Sequence, residues 1–552
     1  MSIVKFAPAF TLEDARQIVK ELYGPEGQVE ALPSERDQNF VVTCESGKKY
    51  VLKIANSTEE KDLLEAQNQV MEHMAQIENL LPNIVPSQKG HKIESIKGQN
   101  GSVHFLRLVT YLPGTPMGNV KRHTPQLLFD LGQKLARFDH ALQGFDHPAL
   151  HRDFYWDFAN GLKIVGKNIN LVQDGELRSL LESLTANFEK FTLPLLSGLK
   201  KSTIYNDAND FNILLGGGDD IYSRNQSVAG FIDLGDMVYG TTVGDLAIAI
   251  AYAILDKPQP LESAAEVVKG YHSILPLDEE ELSALFGLIT MRLCMSVCIA
   301  AEQQMNQPGN EYLGVSQIPI RSILFRLLKF HPRFAEAVFR RACNLAPFAS
   351  SPKKVEWLQA NSASFGQVLP FDLRTEPLLV LDLSVGSPLL HGNPLENSEP
   401  LLTSRIHELV SRAGVRAAVG QYDEARYRYV SPAFGTGDGF SGELRTIHLG
   451  MDLFVEVGTP VHAPLDGRVA AFAENASPHG CGPVIVLAHE TDENHLFYTL
   501  YGHLTRESIA GLKIGQRIQK GEKFASVGKA SENGGWTPHL HFQIVNDLLD
   551  LG

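Results

Sequence analysis

Three short segments near the C-terminus constrain this chain most, because together they hold the side chains of a single-ion site. They are His448-Leu-Gly-Met-Asp452, Tyr501-Gly-His503 and His539-Leu-His541. A hydrolytic zinc site needs three protein ligands, an open position for water and further groups that move protons. The histidine and aspartate of the first segment and the far histidine of the third can meet at one ion. Two histidines then remain for acid–base chemistry, and the surrounding short strands and glycine turns predict a mostly β domain.

The region from about residue 445 to 544 resembles the lysostaphin-type zinc metallopeptidases, a family of glycyl-glycine and peptidoglycan cross-bridge endopeptidases. The resemblance implies one Zn²⁺ with three protein ligands, namely His448, Asp452 and His541. It also implies that His503 and His539 orient or deprotonate the water and stabilise the tetrahedral oxyanion. An alternative interpretation is a degenerate copy that serves as a binding or structural module. The preceding segment Gly420–Tyr429 is rich in arginine and tyrosine and is expected to rim a cleft.

Composition limits the class of protein. At 552 residues the chain is expected to form several domains of about 150 residues each. Its apolar content of 43% and charged content of 20% are typical of globular proteins, and its net charge of −15 disfavours a nucleic-acid surface. Five cysteines without a C-x-x-C pair predict neither a disulfide framework nor a cysteine zinc site. The N-terminus lacks the apolar core of a signal peptide, so we expect a cytoplasmic protein without a membrane partner.

The N-terminal part of the chain shows a different order of elements. Thr11 and Asp14 have the spacing of a helix capping box, and Gly24 is placed to end that helix. We then expect a hairpin, a helix, a strand and a mostly helical remainder, at Asn39–Glu45 with Lys49–Ala55, Thr58–Glu78, Val103–Tyr111 and beyond Pro125. This order is that of the small and large lobes of a kinase-like fold.

Two neighbouring segments carry the pattern that phosphoryl transfer requires. That reaction needs an aspartate to accept the proton of the substrate hydroxyl, a metal-binding asparagine a fixed distance downstream, and a second metal-binding aspartate after a hairpin. Asp207 and Asn212 have the D-x-x-x-x-N spacing, and Asp233-Leu-Gly235 supplies a D-x-G after an apolar strand. Asp236 either contacts the metal or holds the loop. Together these features predict a magnesium-dependent phosphotransferase site.

Residues 10–345 resemble the aminoglycoside phosphotransferase and choline kinase superfamily, and most closely its hydroxylysine kinase branch. The resemblance implies that Asp207 is the catalytic base and that Asn212 and Asp233 bind Mg²⁺. It also implies that Lys53 contacts the phosphates of ATP or GTP, with Ser34 as a further nucleotide contact.

Three departures from the superfamily pattern are visible. Tyr205 stands where histidine is usual, so the base is expected to be oriented differently. The segment Leu32–Phe40 contains no glycine and must cover the phosphates without a G-x-G-x-x-G motif. The helix acid that should pair with the nucleotide lysine falls near Gln67, with Glu65 as a less well-placed candidate. A pseudokinase is the alternative interpretation.

One smaller segment has two readings. Residues 151–157 gather acids and aromatic side chains, which fits either a pocket for a cationic amine or the solvated start of a helix.

We therefore predict a multidomain protein in which an α+β bilobal protein-kinase-like fold precedes a mostly β lysostaphin-like metallopeptidase fold. The predicted parts are the small lobe (1–112), the helical large lobe (113–349), a linker and docking segment (350–430) and the metallopeptidase domain (431–552). This order resembles the front part of longer proteins that end in a class III, pyridoxal-phosphate aminotransferase-like domain. Under that resemblance, an aminotransferase domain would be missing from this chain.

Three hypotheses for the function follow. The first is a bifunctional enzyme that phosphorylates the hydroxyl of a small amino alcohol, such as 5-hydroxylysine, and carries a zinc hydrolase for peptides. In the second, the peptidase domain keeps its metal but acts as a non-catalytic scaffold. The third is a cell-wall endopeptidase whose N-terminal half only binds. Nucleoside triphosphate and Mg²⁺ are cytoplasmic, whereas the cross-bridge substrate is outside the cell, so compartment disfavours the third.

Overall fold

The computed structural model describes residues 7–34, 36–98, 101–306, 317–390, 392, 397–426, 429, 434–435, 445–475 and 479–550. The chain divides into two compact units, Met1–Pro347 and Phe348–Gly552. The boundary predicted at residue 112 lies inside the first unit. The segment 350–430, predicted as a linker and docking segment, lies in the second unit and contributes strands to its sheet.

The first unit contains the following described elements. Its helices are α1 (Leu12–Tyr23), α2 (Lys61–Ala75), α3 (Pro125–Leu142), α4 (Gly161–Asn168), α5 (Gly175–Phe191), α6 (Val243–Ala253), α7 (Pro260–His272), α8 (Glu279–Asn306), α9 (Gln317–Leu327) and α10 (Pro332–Ala342). Its strands are β1 (Gly27–Leu32), β2 (Gln38–Cys44), β3 (Lys49–Ile54), β4 (Ile84–Val85), β5 (Glu94–Lys97), β6 (Val103–Thr110), β7 (Thr115–Pro116), β8 (Lys201–Ile204), β9 (Ile213–Gly216), β10 (Ser227–Phe231) and β11 (Val238–Thr241).

An antiparallel sheet forms the N-terminal part of this unit. Among the described residues its order is β1-β2-β3-β6-β4, with β5 on β6, and the predicted β2–β3 hairpin is confirmed. The predicted capping box at Thr11 and Asp14 is also present, and Gly24 ends α1 in the left-handed conformation. In the sheet register Lys53 on β3 lies opposite Arg107 on β6. The sheet therefore places two cations side by side.

The helical part of the first unit is built around α8 and α6. Helix α8 is long and apolar enough to cross a membrane by length and composition, but 94% of its most apolar window is buried inside the unit. It is a core helix, packed against α4, α5, α6, α9 and α10. Strands β9 and β10 form an antiparallel hairpin, so the start of β9 and the end of β10 lie at the same end of the pair. The segment that precedes β9 and the residues that follow β10 therefore lie close together. This arrangement brings the two predicted phosphotransfer segments together.

The second unit is rich in strands. Its described helices are α11 (Ser351–Asn361) and α12 (Glu399–Ala413). Its described strands are β12 (Leu379–Leu381), β13 (Ala418–Gly420), β14 (Glu424–Ala425), β15 (Ile447–His448), β16 (Met451–Phe454), β17 (Pro460–His462), β18 (Gly467–Asn475), β19 (Gly482–Glu490), β20 (Leu496–Gly502), β21 (Arg517–Ile518), β22 (Lys523–Ser526) and β23 (His539–Val545).

The main sheet of the second unit has the order β12-β13-β16-β23-β20-β19-β18-β21 in the part of the chain that the structure describes. Short pairs β14–β15 and β17–β22 accompany it. Apolar side chains from alternate positions of β16, β19, β20 and β23 form its core. Since β16 and β20 both pair with β23, residues at the ends of these strands meet around His541.

Candidate functional sites

The loop between β8 and β9 is held by a buried carboxylate. Asp245 in α6 is fully buried and accepts hydrogen bonds from the backbone N–H groups of Tyr205 (2.6 Å) and Asn206 (2.5 Å). Asn206 has a φ of 63°, a left-handed conformation that persists only where its neighbours enforce it. The phenol of Tyr205 donates to the carbonyl of Ile232, the residue before Asp233. Tyr205 thus ties this loop to the D-x-G segment.

Asp207, the predicted base, is surrounded by hydrogen-bond donors. Asn212 Nδ2 donates to Asp207 Oδ2 (2.6 Å), and Asn209 Nδ2 donates to Asp207 Oδ1 (2.9 Å). The guanidinium of Arg292, on α8, lies 3.4 Å from the same Oδ1. Burial raises the pKa of Asp207 well above its usual value, Asp236 raises it further, and Arg292 opposes both. A fixed carboxylate with a raised proton affinity is suited to accept a proton from a hydroxyl.

Asp233 and Asn212 supply donors of the kind that Mg²⁺ prefers. Asp233 has a φ of 61°, and its carboxylate lies 3.1 Å from Lys53 Nζ. Lys53 lowers the pKa of Asp233 to about 2, so this carboxylate is ionised at neutral pH. Mg²⁺ is bound by one or two carboxylates together with substrate phosphates and waters. An ionised carboxylate and an amide oxygen at one end of a hairpin fit that requirement.

The acid predicted to pair with Lys53 is replaced by a different network. Arg107 is buried and donates to Gln67 Oε1 (2.7 Å) and to Asn68 Oδ1 (2.9 Å), both on α2. Glu65, the other candidate, pairs instead with Lys61 at 2.9 Å. Glu65, the less well-placed candidate, is therefore not the partner of Lys53 in this structure. An arginine–amide contact joins α2 to the sheet here, and Lys53 is directed to Asp233.

The glycine-free segment Leu32–Phe40 contributes an arginine that contacts the acids around the D-x-G segment. Ser34, predicted as a nucleotide contact, is exposed. Arg36 forms an ion pair with Asp236, the acid that follows the D-x-G segment. Asp236 is buried, and it holds this arginine in the structure.

Residues 151–157 serve mainly internal contacts. Arg152 donates to the carbonyls of Gly235 (2.7 Å) and Met237 (3.0 Å). The ring of Trp156 lies 4.3 Å from the guanidinium carbon of Arg292. Trp156 therefore covers a cation of the protein itself, so this ring does not favour the amine-pocket interpretation over the other one. Sequence reasoning missed Arg292, which no local pattern distinguishes in an apolar helix.

In the second unit, the three predicted zinc ligands meet. His448 Nε2 lies 3.0 Å from His541 Nδ1, and Asp452 Oδ1 lies 3.1 Å from each of these nitrogens. A tetrahedral zinc ion with bonds of 2.0–2.2 Å separates its ligands by about 3.3 Å. Burial alone would raise the pKa of Asp452, but the surrounding histidines hold it well below its usual range. The geometry and the charge of this triangle fit Zn²⁺.

Strand pairing and one glycine explain how the ligands approach each other. Asp452 on β16 is directly opposite His541 on β23. A Cβ atom at Gly450 would lie 2.3 Å from the ring of His541, so only glycine allows this close approach. The glycine in the first segment thus lets the imidazole reach the ion.

His503 and His539 lie beside the triangle with their rings 4.3 Å apart. Nδ1 of His503 donates to the carbonyl of Asn533 (2.8 Å), and Nδ1 of His539 donates to the carbonyl of Thr537 (2.6 Å). Because a carbonyl only accepts, both rings carry the proton on Nδ1 and leave Nε2 unprotonated. Burial lowers the pKa of both histidines, that of His503 well below its usual value. The Nε2 atom of His539 lies 3.5 Å from Asp452 Oδ1. Two neutral imidazoles with unprotonated Nε2 atoms are suited to accept a proton.

An arginine that the zinc motif does not include supports the ligand set. Arg426 Nη1 donates to Asp452 Oδ2 at 3.1 Å, which leaves Oδ1 directed into the triangle. Its Nε lies 2.6 Å from the buried carboxylate of Glu424. On the other side, His448 Nδ1 lies 3.1 Å from the carbonyl oxygen of Gln421 and 3.0 Å from Arg426 Nη2. Such outer partners fix the direction of metal ligands.

A cavity of about 100 Å³ opens beside these groups. Arg426 and Tyr429, both from the segment expected to rim a cleft, line it. Its apolar walls include Leu383, Leu390, Leu402, Phe434 and Trp536. The three leucines come from the segment predicted as a linker and docking segment. That segment therefore forms part of the cleft wall.

The comparisons with known proteins agree with this division. The model of the phosphotransferase enzyme family matches residues 28–285. The hydroxylysine kinase of Xenopus laevis is 34% identical over 334 residues, which cover 56% of this chain and 87% of that protein. Through this first unit, the chain belongs to the hydroxylysine kinase family.

The second unit carries a domain of a different family. The model of peptidase family M23 matches residues 446–549. Lysostaphin of Staphylococcus staphylolyticus is 31% identical over 139 residues, or 25% of this chain and 27% of lysostaphin. An uncharacterized metalloprotease of Haemophilus influenzae is 37% identical over 103 residues, or 19% of each chain. The fusion of a hydroxylysine kinase-like phosphotransferase domain with a family M23 domain is thereby established.

Proposed function

We propose that the first unit transfers a phosphoryl group from ATP or GTP to the hydroxyl of a small amino alcohol, with 5-hydroxylysine as the leading candidate. The observation that carries this proposal is the convergence of Asp207, Asn212, Asp233 and Lys53 at one end of the β9–β10 hairpin. These side chains are the proton acceptor, the two oxygen donors and the phosphate contact that the reaction requires. The hydroxylysine kinase relatives support the choice of acceptor.

In the proposed reaction the acceptor hydroxyl approaches Asp207, which takes its proton as the oxygen attacks the terminal phosphorus. The bond between that phosphorus and the bridging oxygen breaks, and ADP or GDP leaves. Asn212 and Asn209 hold the two carboxylate oxygens in place. Lys53 binds the phosphates from the side of the sheet. Asn212 and Asp233 would hold Mg²⁺, which would supply positive charge against the phosphates.

The test is a nucleotide-turnover assay of the purified chain with 5-hydroxylysine, ethanolamine, 1-amino-2-propanol and an aminoglycoside as acceptors, each with ATP and with GTP. We expect phosphorylation of at least one of the three small amino alcohols. Phosphorylation of the aminoglycoside alone would refute the proposed acceptor class.

For the second unit we propose a zinc-dependent hydrolase of peptides. The triangle of His448, Asp452 and His541, with two neutral histidines beside it, supports this function over a scaffold role. Zn²⁺ at such a site lowers the pKa of a coordinated water to about 7. One of the two histidines, His503 or His539, would accept the proton of the water at its Nε2, and the Nε2–H formed there would donate to the oxyanion.

Cleavage of glycine-rich peptides and of peptides with apolar residues, compared between wild type and His503→Ala, tests the hydrolase. The apolar walls of the cleft are the reason to include the second class of peptide. Stoichiometric zinc without cleavage of either class would favour the scaffold.

A further inference from the structure

Arg36 reaches from the glycine-free segment of the sheet to the acids of the predicted magnesium site. Its guanidinium forms an ion pair with the carboxylate of Asp236. A Cβ atom added at Gly235 would lie 3.1 Å from Arg36 Nη2, so the guanidinium lies against the backbone of the D-x-G segment. About a third of the arginine side chain is exposed, against 9% of the aspartate side chain. The arginine is therefore accessible to a ligand that enters this site, whereas Asp236 is not.

The backbone around Arg36 is anchored to the sheet. Asn56, just after β3, donates from its backbone N–H to Asp37 Oδ1 at 3.0 Å. The amide of the same asparagine donates to the carbonyl of Arg36 at 3.3 Å. Lys53 at the end of β3 points to the same place, with its Nζ 3.1 Å from Asp233. Two cations held by one sheet thus converge on two acids.

A nucleotide that passes its terminal phosphoryl group to a hydroxyl beside Asp207 must place its phosphates at this convergence. Kinases with a glycine-rich loop cover the phosphates with that loop, whose glycines let the backbone approach closely. The segment Leu32–Phe40 has no glycine, so its backbone has less freedom to do this. An arginine provides a planar fork of donors that matches a phosphate in two hydrogen bonds.

We propose that Arg36 binds the terminal phosphate of the nucleoside triphosphate and leaves Asp236 when the nucleotide enters. The arginine side chain thereby donates to the phosphate the hydrogen bonds that backbone N–H groups donate in a glycine-rich loop. This inference rests on the proposed phosphotransferase function, because it requires a nucleotide in the site. In the absence of nucleotide, Asp236 holds the Arg36 side chain in an ion pair.

The experiment measures calorimetric binding of a non-hydrolysable ATP analogue, of ADP and of AMP, each with Mg²⁺, to the full chain. The variants are Arg36→Gln, Arg36→Lys and the control Arg16→Gln, which removes an exposed arginine that pairs with Glu13. A charge-assisted hydrogen bond contributes enough free energy that its loss weakens binding about 10- to 100-fold. We expect that loss for the triphosphate analogue with Arg36→Gln, a smaller loss with Arg36→Lys, and none with Arg16→Gln.

Binding of ADP and AMP distinguishes a contact with the terminal phosphate from a general loss of nucleotide binding. If Arg36 binds the terminal phosphate, ADP and AMP should lose less than about threefold in affinity with Arg36→Gln. Unchanged binding of the triphosphate analogue would overturn the inference, and so would an equal loss for all three nucleotides together with a lower melting temperature. Wild-type protein that binds no nucleotide would instead reject the proposed function and this inference with it. Arg36→Lys, which keeps the charge, decides the outcome if Arg36→Gln fails to fold.

Discussion

At the scale of single residues, the phosphotransfer site departs from its superfamily in the groups around the base. Tyr205 replaces the usual histidine and uses its phenol to bind the carbonyl of Ile232. The nearest cation to Asp207 comes, among the described residues, from Arg292 of α8. The catalytic loop is therefore oriented by contacts from α6, α8 and β10, and the local motif alone does not determine its geometry.

Asp207→Asn should abolish most phosphoryl transfer and leave nucleotide binding nearly intact. The asparagine cannot accept the hydroxyl proton, and general-base catalysis contributes about 10²- to 10⁴-fold to rate. Lys53, Asn212 and Asp233, which we propose to hold the nucleotide and its metal, remain in place. Steady-state turnover and calorimetric nucleotide affinity check this. A variant with near wild-type turnover would show that another group is the base.

In the second unit, two histidine substitutions should separate metal binding from hydrolysis. His448→Ala removes a corner of the triangle and should release zinc. His503→Ala should keep one zinc per chain, because His503 faces the triangle without belonging to it, but should lose hydrolysis. Metal analysis of both purified variants beside wild type measures this. Loss of zinc from His503→Ala, or no stoichiometric zinc in wild type even when zinc is supplied, would contradict the assignment.

Arg426→Met should weaken zinc binding without removing a ligand. The arginine holds Asp452 Oδ2 at 3.1 Å, and loss of such an outer partner lowers metal affinity about 10- to 100-fold. Competition with a chelator of known affinity measures the change. Arg468→Met, which removes an exposed arginine paired with Glu490, is the control and should bind zinc as wild type does. Equal zinc affinity in Arg426→Met and the control would mean that Asp452 needs no such support.

At the scale of elements, local signals in the sequence predict structure well where the partners are close along the chain. The capping box of Thr11 and Asp14 and the β2–β3 hairpin are confirmed, because each depends on residues within about one turn or one hairpin. The contact of Arg107 with Gln67 joins β6 to α2 over a sequence separation of 40 residues. No local pattern encodes such a contact.

The same reason explains what the sequence misses in the zinc site. His448 and Asp452 are recognisable by their spacing within one short segment, and His541 by the H-x-H pattern of another. Arg426 becomes a partner of Asp452 only through the pairing of β14 with β15 and of β13 with β16. The leucines of the cleft wall likewise lie in a segment that appears only as a linker until β12 joins the sheet. Long-range strand pairing thus decides the outer contacts of the site.

The strands that carry His503 and His539 should lose stability in acid when the zinc is absent. Burial lowers the pKa of both histidines in the folded state, whereas the unfolded chain has the ordinary value of 6.5. Below about pH 6.5 the unfolded state therefore binds more protons than the folded state. The free energy of unfolding decreases as the pH is lowered. Asp452, whose folded pKa lies below its unfolded value of 3.8, contributes only in stronger acid.

Hydrogen exchange of peptides that cover β20 and β23 measures this effect in metal-free protein. We expect faster exchange, after correction for the intrinsic rate, at pH 5 than at pH 7. His503→Gln should reduce the difference, since it removes one of the titrating groups. Protection that does not change with pH in the wild type would show that these imidazoles are not held neutral.

At the scale of the whole molecule, the chain joins two units that each have their own apolar core. The phosphotransfer residues all lie in the first unit, and the zinc triangle lies in the second. Chemistry in one unit should therefore not require the metal of the other. The most direct consequence concerns the reaction of the first unit, which is the central claim about this protein.

The measurement that tests this claim most directly is mass spectrometry of 5-hydroxylysine incubated with the purified chain, Mg²⁺ and ATP or GTP. We predict a product phosphorylated on the side-chain hydroxyl with the wild type and with His448→Ala, and almost none with Asp207→Asn. No phosphorylated product from this or any other amino alcohol, with either nucleotide, would contradict the account, as would equal product formation by Asp207→Asn.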